Sequence, residues 1–122
     1  MLSAAAVAVS LSAVSPLPAQ TRLNPVIDLI AQKQPVFGLY GPANRRTRPG
    51  QPAPSPDSIK SPAQLATEAL GYTKNDYIFD GSMEGDFEAA LPQFAAFSKG
   101  MVDQGSLQKG KSPRFTHPIY VK

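Results

Sequence analysis

Two carboxylates, Asp80 and Glu84, stand four residues apart in the stretch Asp76-Tyr77-Ile78-Phe79-Asp80-Gly81-Ser82-Met83-Glu84-Gly85-Asp86. An apolar run ends in the first of them, a glycine-bracketed loop carries the second, and Asp86 precedes a run with helical spacing. A carboxylate at the end of a strand can orient a water, hold a metal-bound water or bind a base, because strand ends fix side chains at the mouth of a parallel sheet. Two such groups repel one another unless a cation lies nearby, so a basic residue or a metal is expected beside them. The bland alternative is strong. Aspartate at a strand-to-loop boundary commonly accepts backbone N–H bonds, and Asp86 fits a helix N-cap better than a catalyst. Lys122, at the end of a later apolar run, is placed to hold an anionic oxygen. His117, the single histidine, opens that run at what would be its non-catalytic end.

The elements that must position these residues read from local signals. Asn24-Pro25 opens a short helix, with Asn as N-cap and Pro in the first turn. Residues 35–40, Pro-Val-Phe-Gly-Leu-Tyr, form a strand apolar on both faces, as a buried parallel strand would be. Ser61-Pro62-Ala63-Gln64 is a capping box before a helix of about three turns ending at Gly71. Tyr77-Ile78-Phe79 is the second strand. Phe87, Leu91, Phe94, Phe97 and Met101 recur at helical spacing and should pack against a sheet, with a kink or restart near Leu91 because Pro92 interrupts the hydrogen-bond ladder. A polar linker over 104–111 leads to a third strand, His117 to Lys122.

Two segments differ in composition. Leu2 to Val14 is an Ala, Val, Leu and Ser run, too short to span a membrane and suited to the apolar core of a signal peptide over residues 1–20. Cleavage would follow Ala19, and export, to the periplasm or outside the cell, is expected. The segment carries no Lys or Arg before its apolar run, unlike most signal peptides. Residues 41–60 hold five of the 13 prolines together with Arg45, Arg46 and Arg48. This is a Pro/Arg-rich loop that is either a solvated insertion or a contact for an anionic substrate or acidic partner.

The chain of 122 residues has room for one domain. It has no cysteine, hence no disulfide framework and no thiol chemistry. Its charge of +3 is mild and its basic residues do not interleave with aromatics, so nucleic acid is not an expected partner, and no stable membrane insertion is expected either. No phosphate-binding loop, dinucleotide fingerprint, nucleophile elbow or metal-ligand cluster is present. Helix and strand alternate, which argues for parallel βαβ units. Three short strands make a poor self-sufficient parallel sheet. The expected fold is therefore α/β, the N-terminal part of a longer β/α protein; a (β/α) barrel takes about 250 residues, so an incomplete parallel one would show about its first three strands and their helices.

The order Pro35–Tyr40, then Asp76–Gly85, then His117–Lys122 resembles the N-terminal third of the HpcH/HpaI aldolase and citrate lyase family over most of residues 22–122. That resemblance implies a TIM barrel that makes or breaks C–C bonds through a pyruvate enolate on a divalent metal of the Mg or Mn type. It implies a small 2-oxo or hydroxy acid as substrate and a possible homo-oligomer at full length. Asp80 matches the acid ending the second strand, and Glu84 the acid of the following loop. Lys122 falls where the family commonly has an Arg that binds the pyruvate oxygen. Gly85 stands where the family has a His base. The metal carboxylates of such proteins come from later strands, so this chain alone is expected to bind no metal and to be inactive. The alternative is a non-enzymatic exported binding module, its Pro/Arg loop touching acidic partners and Asp80 and Glu84 serving structure.

Overall fold

The computed structural model describes residues 22–44 and 49–122. The expected signal peptide and the arginines Arg45, Arg46 and Arg48 lie outside the described residues. The described chain runs α1 (Pro25–Ala31), β1 (Gly38–Tyr40), a single 3-10 turn (Pro56–Ser58), α2 (Pro62–Leu70), β2 (Tyr77–Asp80), a second 3-10 turn (Ser82–Glu84), α3 (Phe87–Asp103), β3 (Leu107–Gln108), β4 (Arg114–Phe115) and β5 (Ile119–Val121). This is a mixed α/β fold around a three-stranded parallel sheet of order β1-β2-β5. No closed barrel is present among the described residues.

Helix boundaries follow from their end chemistry. The Asn24 side chain accepts from the Val26 N–H, and Pro25 occupies the first turn of α1. The Ser61 hydroxyl accepts from the Gln64 N–H while the Gln64 carboxamide accepts from the Ser61 N–H, closing the capping box of α2. Asp86 caps α3 through the Ala89 N–H. At its other end α1 closes with the Lys33 N–H bonded to the Ile30 carbonyl and the Gln34 N–H to the Leu29 carbonyl. That is a Schellman closure with Lys33, at φ 56°, in the left-handed position that glycine usually takes. Gly105, at φ 99°, does the same job after α3.

The core is small and one-sided. Ile78, in the middle of β2, is fully buried among Ala66 and Ala69 of α2 and Phe97 and Met101 of α3. Side chains alternate across a strand. Register pairs Ile78 with Leu39 and Ile119, which therefore share its helix-covered face. Tyr40, Tyr77, Phe79 and Tyr120 fall on the other face, where Tyr40 meets Phe79 edge-on at 5.0 Å and Tyr77 meets Tyr120 at 4.9 Å. The Tyr77 ring also lies over Gly38, filling the space a side chain there would take.

Four expectations need correction. β1 is not a buried strand: all of it is exposed, because no described element covers the face that carries Tyr40, and Leu39, on the helix side, sits at the edge of the sheet beyond the core. The apolar stripe of α3 is buried only at its C-terminal half, while Phe87 and Leu91 are exposed. The reason is length, since α2 meets α3 over the stretch of Phe97, Gly100, Met101 and Gln104 and leaves the first turns of α3 uncovered. Pro92 does not restart the helix, which runs unbroken from Phe87 to Asp103. Its missing N–H leaves only the carbonyl of exposed Glu88 to water, which limits the cost. The linker at 104–111 is partly ordered as a hairpin, β3 pairing antiparallel with β4. Arg114 of that hairpin reaches Asp28 of α1 at 3.1 Å.

His117 sits at the N-terminal end of β5, opposite the strand ends that carry the carboxylates. Its Nε2 lies 2.8 Å from the Tyr72 carbonyl, so that nitrogen carries the proton. Its Nδ1 faces the Thr116 hydroxyl at 2.8 Å. The histidine thereby ties the entry of β5 to the end of α2.

Candidate functional site

The C-terminal ends of the three parallel strands gather Tyr40 from β1, Asp80 from β2, Glu84 from the turn that follows, and Lys122 just past β5. The ladder extends beyond the strands on both sides of β2. The Gly41 N–H donates to the Phe79 carbonyl at 2.9 Å and the Lys122 N–H to the Asp80 carbonyl at 3.1 Å. The backbone at this rim is therefore fixed even where side chains are exposed.

Lys122 Nζ lies 2.7 Å from Glu84 Oε1. This is the cation that two neighbouring carboxylates called for. The ammonium titrates above the ordinary lysine range, chiefly because it hydrogen-bonds Glu84, and then because of the Glu84 charge and a smaller contribution from Tyr40. Both partners are more than half exposed, so water screens the pair and holding it together adds little to stability. The sign is fixed by the direction of the shift. A raised lysine value means that the pair's contribution is complete below the ordinary lysine range and disappears as pH rises through the Lys122 titration. Glu84→Gln should move the Lys122 midpoint down toward the ordinary value, read from the 13Cε shift in an NMR titration. An unchanged midpoint would show that Glu84 is not the partner in solution.

Asp80 is oriented differently. Its Oδ1 accepts from both the backbone N–H and the hydroxyl of Ser82. Alternation puts it on the face of Ile78, away from Tyr40 and Lys122. The sequence grouped Asp80 with Glu84 as one acidic pair. The fold places them at one strand end but on different sides of it, with Asp80 closing the turn that carries Glu84. On its own side Asp80 borders a cleft of about 780 Å³ between the 42–44 segment, the N-terminus of α2 and the uncovered first turns of α3. Ser82, Asp86, Asn44 and Lys60 supply polar edges, and Leu65, Phe94 and Phe97 supply an apolar floor. Lys60 is itself ion-paired with Glu68, and its backbone N–H and carbonyl are clamped by the Asn44 carboxamide.

No group of three His, Cys, Asp or Glu side chains is arranged to hold a metal ion among the described residues. Asp80, turned onto Ser82, and Glu84, paired with Lys122, do not converge as a divalent-cation cage would require. No described helix is long and apolar enough to cross a membrane. Tyr40 is the rim residue that sequence reasoning passed over. The available signal was positional, since Tyr40 ends its strand as Asp80 and Lys122 end theirs. Comparison of the chain with protein-family models, curated proteins and solved structures finds no match in any of the three.

Proposed function

We propose that this chain is the N-terminal part of an exported (β/α) barrel of the HpcH/HpaI aldolase and citrate lyase type, a carbon-carbon lyase acting on small 2-oxo or hydroxy acids. One observation supports it most: three adjacent parallel strands in chain order, with both connecting helices against one face and Glu84, Lys122 and Tyr40 at the carboxyl ends. That is the arrangement in which barrels keep their chemistry, with the opposite face turned inward. The aromatic face of Tyr40, Tyr77, Phe79 and Tyr120 would be the interior.

In this reading Lys122 holds the anionic oxygen of the acid and steadies charge that develops on it. Lysine does so as a point charge, without the bidentate fork of an arginine. Glu84 keeps Lys122 oriented when no acid is bound and is the rim carboxylate within reach of a proton on the substrate. Asp80 shapes the turn that presents Glu84. The Mg- or Mn-type ion of such lyases supplies Lewis acidity toward an enolate. Its carboxylates would come from strands beyond Lys122.

The test is to read the coding sequence past Lys122, express the continuous product and assay pyruvate release from 4-hydroxy-2-oxo acids with added Mg or Mn. Lys122→Gln should lower kcat about 10²–10³-fold, the usual effect of losing a preorganised electrostatic contact. A stop codon directly after Lys122, or pyruvate release indifferent to the substitution, would defeat the reading. A second reading, an exported binding module without catalysis, is favoured by the use of Asp80 and Asp86 in local caps. A stop codon after Lys122 with a cooperatively folding 122-residue product supports it.

A further inference from the structure

We infer that Tyr40 is a further substrate-contact residue of this rim, its phenol donating a hydrogen bond to the charged oxygen of a small oxo acid seated on Lys122. The inference rests on the functional reading above and adds to it a contact from β1.

Geometry carries it. Tyr40, Phe79, Tyr120 and Lys122 share one side of the sheet by alternation and register. Tyr40 and Lys122 flank the end of β2 from opposite sides, on β1 and after β5. Two strand spacings separate their backbones by roughly 9–10 Å. The Tyr40 ring meets the Phe79 ring edge-on, at 87°. It is nevertheless 75% exposed, and its hydroxyl makes no hydrogen bond among the described residues. The contrast with Tyr120 is informative: that hydroxyl is already engaged by the Asn24 carboxamide at 3.2 Å. Glu84 is the resident anion on Lys122, in an exposed pair that an incoming carboxylate can replace at little cost. A neutral phenol is a donor that approaches such an oxygen without adding charge.

The experiment titrates the 122-residue chain with pyruvate and, separately, with neutral pyruvamide, following the Lys122 amide and Tyr40 ring signals by NMR. Tyr40→Phe keeps the ring and its contact with Phe79 and removes only the hydroxyl. It should weaken pyruvate binding about ten- to a hundredfold, the worth of one hydrogen bond to a charged group, and leave pyruvamide within about twofold. Pyruvate binding unchanged in Tyr40→Phe but lost in Lys122→Gln would overturn the role of Tyr40 and leave the rim as an acid site. A native chain that responds to pyruvate no more than Lys122→Gln does would overturn the acid site itself, and the Tyr40 contact with it.

Discussion

Ile78→Ala should destabilise the fold by about 2–5 kcal/mol, the range for removing a buried isoleucine side chain down to its Cβ. The upper half of that range is expected. Ile78 is fully buried, and its neighbours come from two helices that are already in contact, so the void has little room to collapse. A domain of this size has about 5–15 kcal/mol in total, which makes the change a large fraction of what holds the chain together. The effect reaches the rim directly. Ile78 is two residues from Asp80 and pairs in register with both β1 and β5. Urea titration should show a lower midpoint with an unchanged slope. A loss under about 1 kcal/mol would mean that the helices do not pack on β2 as described.

Gly100→Val should cost about 1–3 kcal/mol or more by overpacking. A Cβ at Gly100 would already lie 3.1 Å from the Ala66 Cβ, with Ala63 Cα and the Pro62 carbonyl close behind. These are fixed groups of a neighbouring helix, not flexible side-chain ends. Gly100→Ala is the informative companion. Helix propensity favours alanine over glycine by up to about 1 kcal/mol, while the 3.1 Å approach opposes it. The alanine variant should be close to neutral and the valine variant clearly destabilised. Valine should also loosen the link in which Gln104, at the end of α3, donates to the Ala63 carbonyl and accepts from the Thr67 hydroxyl. Thermal melts of the two variants against the parent give both signs at once. Equal stability of alanine and valine would show that the helices stand further apart.

What the sequence made legible was chemistry contained within a few residues. The Ser61–Gln64 capping box, Asn24 before Pro25 and Asp86 before Phe87 are each satisfied by neighbours two or three positions away, so nothing distant can overrule them. The Glu84–Lys122 pair was half legible. The need for a cation beside two carboxylates follows from charge alone, and the alternation of helix and strand set Lys122 at the same end of the sheet. What stayed hidden depended on partners far along the chain. Apolar composition in β1 signals a surface fit for burial but not whether anything covers it. The exposure of Phe87 follows from α2 being 9 residues long beside an α3 of 17, a mismatch invisible in either helix alone. The β3–β4 hairpin has two residues in each strand, Leu107 opposite Phe115 and Gln108 opposite Arg114, too few for alternation to carry a message. Asp80 parted from Glu84 because the strand continues one residue beyond Phe79, and each added residue turns a side chain to the other face.

The order of pairing in the sheet has a consequence for how the molecule forms. Among the described strands only β3–β4 joins near neighbours, across the short turn between Gln108 and Arg114. β1 meets β2, and β2 meets β5, only after closing loops of roughly forty residues, and loop-closure entropy is lost before either contact returns anything. The rim that gathers Tyr40, Glu84 and Lys122 depends on both closures. It is therefore complete only when both pairings have formed.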